Sequence, residues 1–298
     1  MNDEKKVIDI ATVRHLITTQ FPKWKDLPIY PVALSGWDNK TFHLGESMLI
    51  RMPTALSYAS QVEKEQQWLP KLGALLPIPI SVPLAIGKPS NDYPWKWSIY
   101  QWLEGDTAAF GYIADLCDFA TSLGQFLISL HRIDTKGGPL AGLHSFYRGG
   151  SLANYDSETK QAIIALKGNI DTIAATEVWK KALASTWQKP SVWVHGDISA
   201  GNLLVKNGRL SGVIDFGQLA VGDPACDLAI AWTLFNGESR EAFRKTLPLD
   251  SETWARGRAW TLWKALIVAV DLTNPNNSES AQCWRIIDEV LTDHRRNN

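Results

Sequence analysis

In the run VWVHGD an Asp, Asp197, follows His195 and a Gly at the end of an apolar stretch. Five residues on stands Asn202, and thirteen after that Asp215 closes a second apolar run. Two carboxylates and an amide oxygen are hard ligands. Such a set suits Mg²⁺, which keeps several waters and is often shared between one or two carboxylates and substrate phosphates. It suits zinc poorly, because His195 is the one nitrogen ligand at hand and no thiolate is near. The chemistry the spacing points to is that of phosphates.

The sequence also says how these groups meet. NLLV and LSGVIDF flank KNGR. Asn-Gly between apolar runs is a strong hairpin signal, since both central residues of a type I′ turn need positive φ. A hairpin there returns Asn202 and Asp215 to one end, with Asp197 a short loop away. Just beyond, GDPACDLA spans Gly222 to Ala229. Asp223 reads as an N-cap and Pro224 as a first helical residue. Asp227, among Ala, Cys, Leu and Ile, needs buried hydrogen-bond partners.

HGD-x₄-N, the Ile-Asp-Phe segment and GDPACDLA together resemble the aminoglycoside phosphotransferase family, which has a protein-kinase-like fold. The resemblance runs from about residue 30 to 270 and is strongest over 194–229. It implies that Asp197 orients the acceptor hydroxyl and takes its proton late, and that Asn202 and Asp215 hold Mg²⁺ on the nucleotide phosphates. It implies structural roles for His195, Asp223 and Asp227, the last bracing the catalytic loop through backbone hydrogen bonds. No GxxxxGK[ST] occurs, so the nucleotide is not held by a P-loop. The family pattern instead puts a nucleotide-binding loop at LSGWDNKTF, with Ser35, Gly36 and Asn39. A strand cation falls at Arg51, where many members carry Lys, and the two differ in geometry. Glu65 is its expected helix partner, with Glu63 the alternative. The backbone of Gln101, Trp102 and Leu103 would meet the purine of ATP or GTP.

These groups need a frame. Apolar periodicity predicts a helix over 9–21 with Asp9 as cap, strands over YPVAL, KTFHL and SMLIRM, a helix over 58–72, and strands at PLAIG and WKWSIYQWL. Helical spacing takes over in 111–134, in two helices within 158–189, and in 224–236, 238–246, 251–271 and 279–292. The expected fold class is α+β: a two-lobed kinase-like fold with an antiparallel β lobe carrying one inserted helix and a larger, mainly α lobe. The boundary is placed so that 1–103 is the nucleotide-binding lobe and 104–298 the catalytic and substrate-binding lobe.

The chain of 298 residues is 45% hydrophobic and 20% charged, with net charge −1. That balance offers no basic surface to nucleic acid. Three scattered cysteines suggest neither a disulfide framework nor a zinc site. The polar N-terminus lacks a signal-peptide core and no apolar run is long enough to span a bilayer. The expectation is a cytoplasmic protein with no membrane partner. The acceptor is expected to be a small hydroxyl compound, an aminoglycoside, a macrolide or a metabolite. Glu104, Asp106, Asp271 and Glu279 are candidates to line a cationic pocket; Trp232, Trp254, Trp260, Trp263 and Trp284 would suit an apolar one. A housekeeping kinase for an amino alcohol or sugar is the alternative within this class. A metal-dependent hydrolase and a nucleotide-binding pseudokinase are alternatives outside it.

Overall fold

The computed structural model of the chain describes residues 6–33, 38–271 and 278–296. Helix α1 (Ile10–Gln20) starts where the Asp9 carboxylate accepts a hydrogen bond from Thr12 N at 2.8 Å. It lays Val13, Leu16 and Ile17 on an antiparallel sheet of β1 (Ile29–Pro31), β2 (Asn39–Leu44), β3 (Met48–Pro53), β4 (Pro83–Gly87) and β5 (Trp97–Gln101). Strand order is β1-β2-β3-β5-β4. The period of two divides β2 and β3 between two environments. Phe42, Leu44, Ile50 and Met52 join the apolar cluster under α1, while Thr41, His43, Leu49 and Arg51 line a cleft on the other face.

Helix α2 (Leu56–Gly73) joins β3 to β4 but packs elsewhere. Trp68, Leu69 and Leu72 belong to the larger, C-terminal apolar cluster, and the Trp68 ring lies 4.8 Å from that of Trp193. Tyr100 and Ile80 join the same cluster. The two cores therefore interlock across the proposed boundary at Leu103, and α2 is the element that couples them.

The rest of the chain carries β6 (Asp106–Thr107), α3 (Leu116–Arg132), α4 (Asp156–Ala165), α5 (Thr172–Leu183), β7 (Val192–Val194), β8 (Leu203–Lys206), β9 (Arg209–Val213) and β10 (Ala220–Gly222). Helices α6 (Ile230–Thr233), α7 (Gly237–Thr246), α8 (Ser251–Asp271) and α9 (Ser278–Arg296) follow. Strands β8 and β9 form the expected hairpin; Asn207 and Gly208 turn it at φ 54° and 78°. None of the described helices is long and apolar enough to cross a membrane.

Several elements depart from the sequence expectation. Helix α3 begins at Leu116 rather than 111, because the Asp115 carboxylate caps it by accepting from Cys117 N and Asp118 N. Of the two helices expected within 158–189, the second ends at Leu183. The helix expected over 224–236 is a 3₁₀ segment, Pro224–Ala229, followed by the single turn α6. Its tighter winding accompanies a side chain, Asp227, committed inward to another loop. Strand β7 has a partner that periodicity did not announce, the three-residue β10. Helix α9 runs on past 292 to Arg296.

Candidate active site

The hairpin brings the three polar groups together as its register requires. Leu203 faces Val213, and Ile214 N donates to Asn202 O at 2.9 Å, so Asn202 sits beside the chain that leads into Asp215. The Asn202 side-chain nitrogen donates to Asp197 O at 2.9 Å and to Asp197 Oδ2 at 3.1 Å. That fixes the amide so that its nitrogen serves Asp197, and the bonds to Asp197 make no use of Oδ1. Asp215 is left-handed, φ 65°, a conformation rare outside Gly, Asn and Asp and one that clusters at functional sites.

The loop holding Asp197 is braced from beneath. His195 N and Gly196 N donate to the two oxygens of Asp227 at 2.8 and 2.7 Å. His195 is buried. Its Nε2 meets Ile214 O at 3.0 Å, and its Nδ1 meets Asp197 N at 3.1 Å. A carbonyl on one nitrogen and an N–H on the other require the neutral ring with its proton on Nε2. The imidazole thus bolts the catalytic loop to the hairpin. Gly196 has φ 86°, and a Cβ there would lie 2.7 Å from Gln218 O. Asp223 caps the 3₁₀ segment through Ala225 N at 3.0 Å and receives Arg256 Nε at 2.6 Å.

From the sheet side Arg51 reaches two carboxylates. Its Nη1 is 3.3 Å from Glu65 Oε1 and its Nη2 is 2.6 Å from Asp215 Oδ1. Glu65 is buried and also accepts from the Tyr100 hydroxyl. Glu63, the alternative partner, is exposed and pairs with Lys96. Burial pushes the Asp215 carboxyl up, but the charge and hydrogen bond of Arg51 outweigh it and hold the group below the usual range. Burial, followed by the nearby Asp215 charge, raises Asp197. The two acids are driven apart, an arrangement that separates a proton acceptor from a permanently charged ligand. Burial also raises Asp227, despite the hydrogen bonds it accepts from the His195 and Gly196 amides.

One cleft of about 560 Å³ is lined by Asn39, Arg51, Gln101, Trp102, Leu103, Asn202 and Asp215. Ser35 and Gly36 lie outside the described residues. The amides of Gln101 and Trp102 are already spent on Val82 O, 3.1 Å, and Ser47 O, 2.8 Å. A second cavity of about 420 Å³ opens on the other side of Asp197, towards α8 and α9, and Trp260 is in its wall. The other acceptor candidates are placed differently. Asp106 faces the first cleft, and exposed Glu104 pairs with Lys206 at 2.5 Å. Trp232 and Trp263 give their indole N–H to Asp293 and Glu158, while Trp254 packs on Phe243. Trp284 is partly buried against the larger core, and the side chains of Asp271 and Glu279 lie outside the described residues.

Four groups carry no sequence signal that would have found them. Lys64, buried on α2, donates to Gly217 O at 2.8 Å and His144 O at 3.0 Å, and meets His144 Nδ1 at 3.1 Å. Burial lowers its pKa to about 8. Asp38 turns towards Asp215 and Asp197, and burial and the Asp215 charge raise its pKa. Arg148 lines the second cavity beside Asp197, and Arg256 holds Asp223.

Comparison with known proteins gives a consistent picture. A sequence model of the phosphotransferase enzyme family (APH) matches residues 30–260. An uncharacterized protein of Bacillus subtilis, YcbJ, is 26% identical over 154 residues, 48% of this chain and 45% of that protein. An aminoglycoside 3′-phosphotransferase of Escherichia coli is 39% identical over 72 residues, 24% of this chain and 26% of that protein. The chain thus spans less than half the length of these curated relatives. Among solved structures, a GDP complex of aminoglycoside 2′-phosphotransferase-IIIa superposes with TM-score 0.69 at 17% identity, covering 96% of this chain and 99% of that one. A macrolide 2′-phosphotransferase type I gives 0.61 at 19%, covering 97% and 98%. At these identities the superpositions establish the fold.

Proposed function

The chain belongs to the phosphotransferase enzyme family (APH), and from that premise we propose that it transfers the γ-phosphate of ATP or GTP to a hydroxyl of a small molecule. The observation that carries this reading is the meeting of Asp197, Asn202 and Asp215 at one mouth, with the Arg51–Glu65 pair facing them from the sheet. A hydrolase site would have no use for that pair.

The donor set fits Mg²⁺. Asn202 and Asp215 offer hard oxygens to the same cleft. Among the described residues no cluster of three or more His, Cys, Asp or Glu forms a closed metal cage. One carboxylate and one amide oxygen suit Mg²⁺, which keeps several waters and is shared with substrate phosphates. When bound, the ion would neutralise charge on the phosphates. The nucleotide would lie in the first cleft, with its purine against the Leu103 amide and its phosphates near Arg51.

In the transfer itself the acceptor oxygen attacks the γ-phosphorus and the bond to the β–γ bridging oxygen breaks. The nucleoside diphosphate leaves, and the hydroxyl proton passes to the Asp197 carboxylate. The transition state is loose, so most of the work of Asp197 is orientation. Its raised pKa suits it to take a proton late. Asn202 holds that carboxylate and the His195–Asp227 brace holds its backbone.

Relatives with aminoglycoside or macrolide in their names make an antibiotic acceptor one possibility to assay, alongside hydroxyl metabolites. The test is calorimetric titration of the full chain with Mg-ATP and Mg-GTP, then nucleotide consumption against a panel of alcohols. Saturable heat and acceptor-dependent diphosphate release are expected. No heat with either nucleotide would remove the reading.

A further inference from the structure

The second cavity, about 420 Å³, shares Asp197 with the active site and extends away from the nucleotide cleft. Its wall is largely apolar, with Ile198, Trp260, Ala265, Val268 and Ile286. Among the described residues that line it, Asp197 is the one acid, and two cations, Arg148 and Lys264, face it. The described wall therefore offers more to an anion than to a polycation. On the reading that this is a kinase, we infer that its acceptor is an alcohol that also carries an oxyanion, with Arg148 as the anchor for that charge.

Arg148 is prepared for such a role. Its guanidinium lies over the rings of Trp263 and Trp260, 4.6 and 5.0 Å from their centroids. Its Nε donates to Gln218 Oε1 at 3.1 Å. Nη1 is buried without a hydrogen-bond partner among the described residues, the residue as a whole is half-buried, and it is the rest of the guanidinium that meets the cavity, with no carboxylate paired to it among the described residues. A buried guanidinium nitrogen left without an acceptor is costly and rare. The backbone that delivers Arg148 is unusual too. Phe146 and Tyr147 are both left-handed, φ 47° and 54°, which aromatic residues adopt at a cost. Gly149 O then ties the loop to Asp223 N at 2.7 Å. The Arg148 charge reaches Asp197, where it opposes the upward push of burial. Lys264 is exposed at the rim, with no ion pair among the described residues. A planar fork stacked on aromatic rings matches carboxylate or phosphate geometry better than a point charge would.

The test uses four probes on one skeleton: 4-(hydroxymethyl)benzoate, 4-(hydroxymethyl)phenyl phosphate, the neutral 1,4-benzenedimethanol and 4-(hydroxymethyl)benzylamine. Each is titrated by calorimetry into the full chain saturated with Mg²⁺ and a non-hydrolysable ATP or GTP analogue. An oxyanion probe is expected to bind roughly 100-fold tighter than the amine, with the neutral diol between them. Whichever oxyanion binds tighter identifies carboxylate or phosphate as the natural group. Arg148→Gln should shrink the oxyanion-to-amine ratio at least tenfold, and Lys264→Gln, at an exposed position, should shrink it less. Tighter binding of the amine, no millimolar binding of either oxyanion, or a ratio unmoved by both substitutions overturns the inference. In each case nucleotide binding stands, and with it the kinase reading. Failure of the nucleotide analogue itself to bind would instead remove that reading and this inference together.

Discussion

Arg51 spans the mouth between sheet and hairpin, with Nη2 2.6 Å from Asp215 Oδ1 while Nη1 stays 3.3 Å from Glu65 Oε1. A single guanidinium thus holds a helix carboxylate and the proposed metal ligand at once. A lysine ammonium on the same strand, being a point charge, has no fork with which to do both. Arg51→Met would leave Glu65 buried without its cation. The Glu65 side chain is 5% exposed and that of Asp215 38%, so the penalty comes mainly from Glu65. A loss of about 3 kcal/mol in urea unfolding is expected, together with a weaker Mg-nucleotide Kd by calorimetry. Arg51→Lys should recover most of the stability.

Asp197→Asn separates binding from chemistry. Its carboxylate touches Asn202 but not Arg51, so the nucleotide cleft should persist. Loss of the proton acceptor is expected to lower kcat by roughly 10²–10⁴, with Mg-nucleotide Kd nearly unchanged. Single-turnover diphosphate release measures the first and calorimetry the second.

Asp227→Asn tests the brace. The two carboxylate oxygens accept from His195 N and Gly196 N. An Asn side chain has one acceptor oxygen, and its NH₂ would face the other backbone N–H. One buried amide is then left unpaired, a cost of about 1–3 kcal/mol. Because those amides carry the loop that positions Asp197, kcat should fall as well, although Asp227 lies beneath the loop. Urea midpoints and turnover measured on the same preparation check both effects.

How much of this could be read from the sequence follows from how local each signal is. The hairpin was legible because Asn207-Gly208 encodes its own turn, and the turn dictates that Asn202 and Asp215 meet. Asp227 stood out because an acid in an apolar segment needs partners. Arg148 and Lys64 were not legible. One sits in a Gly-flanked loop and the other on a charged helix, and each acquires its meaning from residues 70 or more positions away, Gln218 and Gly217. The helix expected over 224–236 failed because apolar spacing cannot distinguish an α-helix from a 3₁₀ segment held by a side chain turned into another loop. β10 is three residues long, too short to show a period.

His131 links stability to pH. Burial lowers its pKa from 6.5 to about 4, and its Nε2 is buried without a partner among the described residues. Between those two values the unfolded chain binds the proton and the folded chain does not, so stability rises with pH across the window and falls on acidification. The swing attributable to this residue is up to about 3 kcal/mol. Urea midpoints from pH 4 to 7 should show a dependence that His131→Leu flattens.

Lys64→Met probes how Asp215 is aimed. The Lys64 ammonium pins α2 to Gly217 O and His144 O, so the turn that follows Asp215 is held by the helix that carries Glu65. The left-handed backbone at Asp215 has no side-chain cap of its own, and the pin is a restraint from outside the turn. Methionine fills a similar volume but donates nothing, which leaves the buried Gly217 carbonyl and the partly buried His144 carbonyl short of a donor and destabilises the chain by about 1–3 kcal/mol. If the pin aims Asp215, the Mg²⁺ concentration for half-maximal turnover should rise while the KM for the acceptor stays put. A variant that loses stability with its Mg²⁺ dependence unchanged would make Lys64 a packing residue only.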